Sequence, residues 1–478
     1  MNGRERTVRQ LLASGPGRLG AAMLMLLVVV ALAVVVIYPS DFGPARWSNP
    51  ALWADNPRAA PPAWMDVFSR ADRAPHQEAE VGAPTATSDA MQHYRVRFSH
   101  EADEAPAFVT VTLSDVVFHE RSLSVAVWLE RPDGEAVALY RTVLPAARGG
   151  DEPPHLAYSV EPLRIVLSAE EQAVDGAIAM LSTAYGLAVP RDQVAEHLTT
   201  VLFGQPDADG RIIPLHGEYG VDVRVTTHHP DDRVGRVQAI LGGTVFGVMG
   251  TDALGRDLAV GLLFGLPVAL LIGLAVSLFS TAIGASLGLV SGYSGGWVDT
   301  VIQRLADIVA NVPVLPLLIF MVFVFRAELW LILLVLVAFG WSGLTIMVRA
   351  MVLQLRSSPE VEAAVTIGAS RVRIMGRHVL PHIAPFVLAQ LIFFAPAAIL
   401  AEAGLSFLGL GDPSLPTWGQ ILEHGFRSGG VFLGYWWWVI PPGLLIIVTA
   451  VTFMLLALGM ESVVDPRLRR VRLRRVRA

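Results

Sequence analysis

Apolar residues in this chain gather into six runs, at 19–38, 258–290, 312–325, 329–348, 383–408 and 436–459. About 20 apolar residues are enough to cross the hydrocarbon core as a helix, and in lipid only a helix or a closed barrel satisfies its own backbone polar groups. The runs therefore predict a polytopic membrane protein whose core is all-α, with six transmembrane helices. The second run exceeds one straight crossing and is expected to tilt or to project beyond the bilayer. The third is short, and Pro313 and Pro316 stand where they can bend it.

Arginine is distributed unevenly about these runs. Arg4, Arg6, Arg9 and Arg18 precede the first, a cluster from Arg349 to Arg377 separates the fourth from the fifth, and seven arginines from Arg467 to Arg477 follow the last. Six crossings put these segments on one side, and the positive-inside rule makes it the cytosol. Both termini are then cytosolic and 39–250 lies outside, where about 30 acidic residues stand against about 16 arginines. The first run is long for a signal peptide, and no small-residue cleavage site stands out before Pro39, so it is expected to remain as an anchor. The C-terminal arginines suit anionic lipid, and inside retention explains them equally well.

Cysteine and lysine are both absent, so all 36 basic residues apart from histidine are arginine. A nucleotide-binding P-loop needs its lysine to reach the phosphates, which excludes a standard one here. The external region has no disulfide and must rely on its own core.

The cytosolic stretch between the fourth and fifth runs is too polar for lipid. Ser358 followed by Pro359 reads as an N-cap and first-turn proline, with Glu360 and Glu362 near the positive end of the helix that begins there. Gly368 is expected to stop that helix. Ser370 caps a second one, through Arg371, Arg373 and Arg377, which Pro381 should end. The expected product is a helix-turn-helix elbow on the membrane surface, with Ala363 and Ala364 as a small-residue face for close approach of another protein.

At Glu362, Ala363, Ala364, Gly368, Leu380 and Pro381 the chain resembles the integral-membrane permease subunits of ABC importers, whose cytosolic loop carries these residue types at this spacing. His378 stands where many such families have Ile, although the peptide importers often have His. Further blocks are similar, in order and spacing, to the dipeptide, oligopeptide and nickel branch: Gly250-Thr251-Asp252 with Gly255-Arg256-Asp257, Gly292 to Asp299, Ala401 to Gly411, and Pro416-Thr417-Trp418-Gly419. In the first block Asp252 is placed to cap the incoming helix. The resemblance covers about residues 245–465 and implies a permease core at 251–460 with its coupling loop at 349–381. It also implies a cytosolic N-terminus 1–18, a first helix 19–38 and a basic cytosolic tail 461–478 in a prokaryotic cytoplasmic (inner) membrane. By the same resemblance the partners are a second permease subunit, two cytosolic ATPase subunits that carry ATP and Mg, an extracytoplasmic substrate-binding protein and membrane lipid. No cofactor, nucleic acid or catalysis is expected of this chain. Peptides are the expected cargo, with nickel or another small solute as an alternative and a membrane sensor as a reading of a different class.

The external region departs from the short loop usual in that family. From 39 to 84 it reads as a connector rich in Pro, Ala and Trp. Alternation at 94–98, 108–113, 123–128 and 221–226 predicts strands, Pro132-Asp133-Gly134 predicts a hairpin into 136–140, and Ser168 with Glu171 predicts a capping box opening a helix to about Tyr185. Another helix is expected over 191–203. An α+β domain inserted between the first two membrane helices results, placed to seat the incoming binding protein.

Other signals are weak. Glu402, toward the external end of the fifth run, is expected to brace a packed helix end, and Arg304 with Asp307 reads as a helix-face pair. Gly292-Tyr293-Ser294-Gly295 is similar to the Gly-x-Ser-Gly of rhomboid-like proteases, yet no run contains a histidine to act as base. Asp207, Asp209, Gly210 and Glu218 resemble a calcium loop with its glycine misplaced. His228 and His229 are adjacent, not four apart, and read as surface residues.

Overall fold

The computed structural model describes residues 11–39, 41–68, 72–88, 90–119, 121–145 and 153–464. Arg4, Arg6, Arg9 and the basic tail at 467–477 lie outside the described residues. Two compact units divide the chain, Met1–Asn49 with Val260–Ala478, and Pro50–Ala259. Helix α1 (Gly15–Ile37) begins the first of them, its N-cap Ser14 accepting a hydrogen bond from the Gly17 amide.

The unit Pro50–Ala259 is rich in strands. In chain order it holds β1 (Gln77–Val81), β2 (Ala86–Ser88), β3 (Met91–His100), β4 (Phe108–Phe118), β5 (Ser124–Glu130), β6 (Ala136–Val143), β7 (His155–Ala157) and β8 (Leu163–Val166). Helices α2 (Glu171–Tyr185), α3 (Arg191–Glu196) and α4 (Leu198–Leu202) follow, then β9 (Gly204–Pro206), β10 (Ile212–Pro214), β11 (Gly217–Thr226) and β12 (Arg233–Gly242). One antiparallel sheet has the order β1-β12-β4-β7, with β8 also paired to β4, and a second has the order β2-β3-β11-β5-β6. Alternate residues of both sheets, such as Tyr94, Val96 and Phe98 of β3 and Val237, Ala239 and Leu241 of β12, enter a single core that α2 joins through Ala173, Ala177 and Leu181.

Several sequence expectations change in detail. The stretch 39–84 is not all connector, since β1 lies inside it and pairs with β12. Helix α2 starts at Glu171 behind the cap residue Glu170, with Ser168 in a preceding tight turn, so the capping box does not form. The helix expected over 191–203 breaks at His197 into α3 and α4. The β5–β6 hairpin forms, with Gly134 at φ +88°. Next to it Arg131 is buried and donates to the carbonyls of Val201, Leu202 and Gly204, satisfying the open C-terminal end of α4.

The other unit continues with α5 (Leu258–Ser294), α6 (Gly296–Asn311), α7 (Val314–Phe325), α8 (Leu329–Gly340), α9 (Ser342–Arg356), α10 (Pro359–Thr366) and α11 (Arg371–Ile374). It ends with α12 (Leu380–Phe407), α13 (Trp418–Arg427), α14 (Gly430–Leu433) and α15 (Trp436–Val464). Among the described residues five segments are long and apolar enough to cross a membrane: Gly15–Ile37, Leu258–Ser294, Leu329–Arg356, Arg371–Phe407 and Trp436–Met460. The third run behaves differently from a straight span. It is the second half of a broken pair in which α6 and α7 meet at 77°, with Pro313 at the break.

Small residues let the helices approach. A Cβ on Gly284, Gly288 or Gly292, spaced four apart on α5, would lie 2.7–2.8 Å from atoms of α9 or of Trp341 just before it. Side chains there would force the helices apart, and without a hydrophobic drive inside lipid such close backbone packing is what holds helices together. Gly20 of α1 meets Leu456 of α15 in the same way, 2.8 Å from its amide nitrogen.

Candidate functional site

The elbow forms around a left-handed glycine. Ser358 occupies the N-cap position of α10 with extended backbone and Pro359 in the first turn, but its hydroxyl makes no capping bond. At the other end Gly368 has φ +77°, its amide donates to Val365 O at 2.9 Å, and the Ala369 amide donates to Ala364 O at 3.1 Å. These two bonds make a Schellman motif, which needs a residue without a Cβ penalty at that position. The chain then turns through Ser370 into α11.

Pro381 does not end the second helix. The backbone stays helical from Arg371 through a widened turn at Met375–Val379 and on into α12, where Leu380 and Pro381 form the first turn. Pro381 has no N–H to continue the ladder, and the widened turn just before it, where the Leu380 amide reaches back to Met375 O, accommodates the missing bond. The elbow is therefore continuous in helical backbone with a long apolar helix.

Val361, Ala364, Ile374, Val379 and Ile383 pack against Tyr293 of α5 and Leu344, Val348 and Val352 of α9. This core fixes which residues face outward. Ala364 is buried within it while Ala363 is exposed. Consecutive helical residues lie about 100° apart, so the two alanines do not share one docking face. Val365, Ile367 and Val372, which are 56, 83 and 76% exposed, instead supply the outward apolar side chains, and exposed Ala363 precedes them. Glu362 is exposed beside a cleft of about 670 Å³ that Arg356, Thr366 and Arg371 also line. Leu380 is half-exposed and Pro381 exposed.

Two polar ties set the elbow's attitude. Glu360 bonds to His378 Nδ1 at 2.9 Å and to His382 Nε2 at 3.1 Å, joining α10 to the widened turn and to α12. The His378 bond, then the His382 bond, hold the Glu360 carboxyl below the usual carboxylate range. Below the elbow Arg349 of α9 pairs with Asp299 of α6. The pair expected between Arg304 and Asp307 is not among the ion pairs of the described residues. Neither tie is local in sequence. His378 was noticeable as a departure from the commoner Ile, whereas Glu360 and Asp299 carried no signal of their partners.

The remaining motif residues make local contacts. Asp252 is buried and accepts from the amides of Leu254 and Arg256, closing its own turn. Asp257, whose carboxylate accepts from the Ala259 amide at 2.8 Å, is the residue that caps α5, correcting the expectation for Asp252. Glu402 is buried on α12 and takes the Ser406 hydroxyl at 2.6 Å, beside the α13 cap Thr417. Ser294 is the last residue of α5. Asp207 accepts from the amides of Asp209 and Arg211, an ordinary turn.

Comparison with known proteins places this arrangement. Residues 284–470 match the family described as the binding-protein-dependent transport system inner membrane component. The dipeptide transport system permease protein of Bacillus subtilis is 34% identical over 222 residues, which are 46% of this chain and 69% of that protein. The oligopeptide transport system permease protein of the same organism is also 34% identical, over 46% of this chain and 72% of its own length. A peptidoglycan transport system permease protein of Agrobacterium fabrum is 32% identical over 37% of this chain and 47% of that protein. The matched region holds the elbow and the helices that anchor it, and with the dipeptide and oligopeptide permeases this chain belongs to the inner-membrane permease subunits of binding-protein-dependent ABC transport systems.

Proposed function

We propose that this chain forms half of the translocation pathway of an ATP-driven peptide importer, with a second permease subunit supplying the other half. The observation that carries this reading is the elbow, anchored on one face and presenting Val365, Ile367 and Val372 on the other. Burying such side chains in a partner is worth about 1.5–3 kcal/mol each. One of two separate cytosolic ATPase subunits docks there and the other on the second permease subunit, together bringing the ATP and Mg that a chain without lysine has no standard P-loop to hold. When they close, the elbow moves as a unit with α12, and the helices rock to alternate access.

In this reading α6 and α7 count together as a broken sixth span, both termini and the elbow are cytosolic, and the unit Pro50–Ala259 is outside, where it seats the substrate-binding protein. Peptide as cargo is supported by what the dipeptide and oligopeptide relatives transport. A sensor built on the strand-rich unit would leave the elbow's exposed apolar surface without a purpose. The test is reconstitution of the chain in vesicles with its partner permease, ATPases and binding protein. Peptide uptake that needs both ATP and the binding protein supports the proposal; partners that assemble and hydrolyse ATP without moving any peptide overturn the cargo assignment.

A further inference from the structure

We propose that His119, His229 and Asp231 form a site for one divalent transition cation of the zinc class in the strand-rich unit. His119 follows β4, and His229 and Asp231 lie in the turn between β11 and β12. Pairing of β12 with β4, Arg233 opposite Val117, brings the two segments together. One ligand atom from each of the three residues lies within 4.8 Å of the others, and the two imidazoles stack with centroids 4.2 Å apart.

A single buried carboxylate organises the cluster. Asp232 accepts from the His119 amide at 3.0 Å, from His119 Nδ1 at 3.0 Å, and from the amides of His228 and His229 at 2.9 and 2.8 Å. Both ligand-bearing segments are thus fixed to one anchor. At His119 the carboxylate holds Nδ1–H and leaves the Nε2 lone pair free, the outer-shell arrangement that orients histidine toward a metal; His229 instead accepts the Asp231 amide at Nδ1, 3.2 Å away, so its Nδ1 lone pair faces the cluster and a cation there would displace that bond. Asp231 has a 72% exposed side chain and can swing toward the imidazoles, so a cation enters from solvent without opening the core. Two imidazoles with one carboxylate suit zinc, nickel or copper and leave a coordination position for water. Calcium and magnesium, which need mostly oxygen ligands, do not fit.

The test uses the full-length chain in detergent, purified without a histidine tag and dialysed against zinc chloride with excess magnesium present. One zinc per chain is expected. His119→Ala and Asp231→Asn should each weaken it at least tenfold, while His228→Ala, at an exposed neighbour outside the cluster, leaves affinity unchanged. Asp231→Asn alters an exposed side chain, so its effect is separable from loss of folding, which the zinc-free unfolding midpoint reports. No zinc bound at millimolar concentration, or affinity that is the same in the His119→Ala and Asp231→Asn variants as in the native chain, would overturn the site and leave the stacked histidines as packing alone.

Discussion

Arg349 grips Asp299 with two parallel bonds, Nε and a terminal guanidinium nitrogen each 2.6 Å from a carboxylate oxygen. The pair ties α6, which begins the broken segment, to α9, against which the elbow packs. A bidentate fork is a guanidinium property, and lysine offers only a point charge. Arg349→Lys is therefore expected to lower thermal stability of the detergent-solubilised chain, and Arg349→Ala more so, by about 1–3 kcal/mol for a charged group left without its partner. A double-mutant cycle with Asp299→Asn measures the coupling; additive single effects would mean the pair contributes nothing of its own.

Gly368→Val acts through the backbone. A Cβ at Gly368 meets nothing within 4 Å, but φ is +77°, and a non-glycine residue in the left-handed region costs about 1–2 kcal/mol. The strain falls on the Schellman turn and not on the membrane helices. ATP-dependent uptake should drop while the unfolding midpoint shifts by only a few degrees, and Gly368→Asn should fall between native and Val. Equal uptake in all three chains would contradict the rigid-elbow account.

The strand-rich unit should lose stability on mild acidification through His100. Burial pushes this imidazole below its usual value, His216 adds to the shift, and Glu101 and Asp72 offset part of it. His100 Nε2 has no hydrogen-bond partner among the described residues, and Phe203 and Tyr219 flank the ring. Because the folded pKa is depressed, the contribution is intact above about pH 6.5, the unfolded value. It is lost as pH falls toward the lower folded value, by at most about 1.4 kcal/mol per pH unit for one proton. Unfolding followed between pH 7.5 and 5.5 should show this slope, and His100→Phe should flatten it.

Orientation can be read by labelling. The chain has no native cysteine, and Ser88 and Ser357 are both exposed. Ser88→Cys should react with a membrane-impermeant thiol reagent in intact cells, and Ser357→Cys only after lysis. Reaction of both in intact cells would refute opposite placement of the strand-rich unit and the elbow.

What could be read from the sequence was local. Runs of about 20 apolar residues marked α1, α5, α12 and α15 because length and hydropathy suffice for a span, and Gly368 marked its own turn because the left-handed region favours glycine. Helix α6 was legible only at Arg304 and Asp307, since its composition is mixed, and the arginine that secures it lies 50 residues from Asp299. The elbow was found, but its outward face was misjudged: burial of Ala364 depends on Val352 and Leu344 from another helix, and no spacing rule reveals that Ile367 is left uncovered. His119 and His229 likewise meet only because β4 and β12 pair.

The most direct test of ATPase docking at the elbow is Ile367→Asp. Ile367 is outside the elbow's core, so the substitution should leave the helices folded while placing a charge where an apolar contact is proposed. Co-purification of the ATPase subunits and ATP-dependent peptide uptake are measured on the same preparation. Both should fall about tenfold or more, since each 1.4 kcal/mol of lost contact is a factor of ten. Native levels of both in the Ile367→Asp chain would contradict docking on this surface.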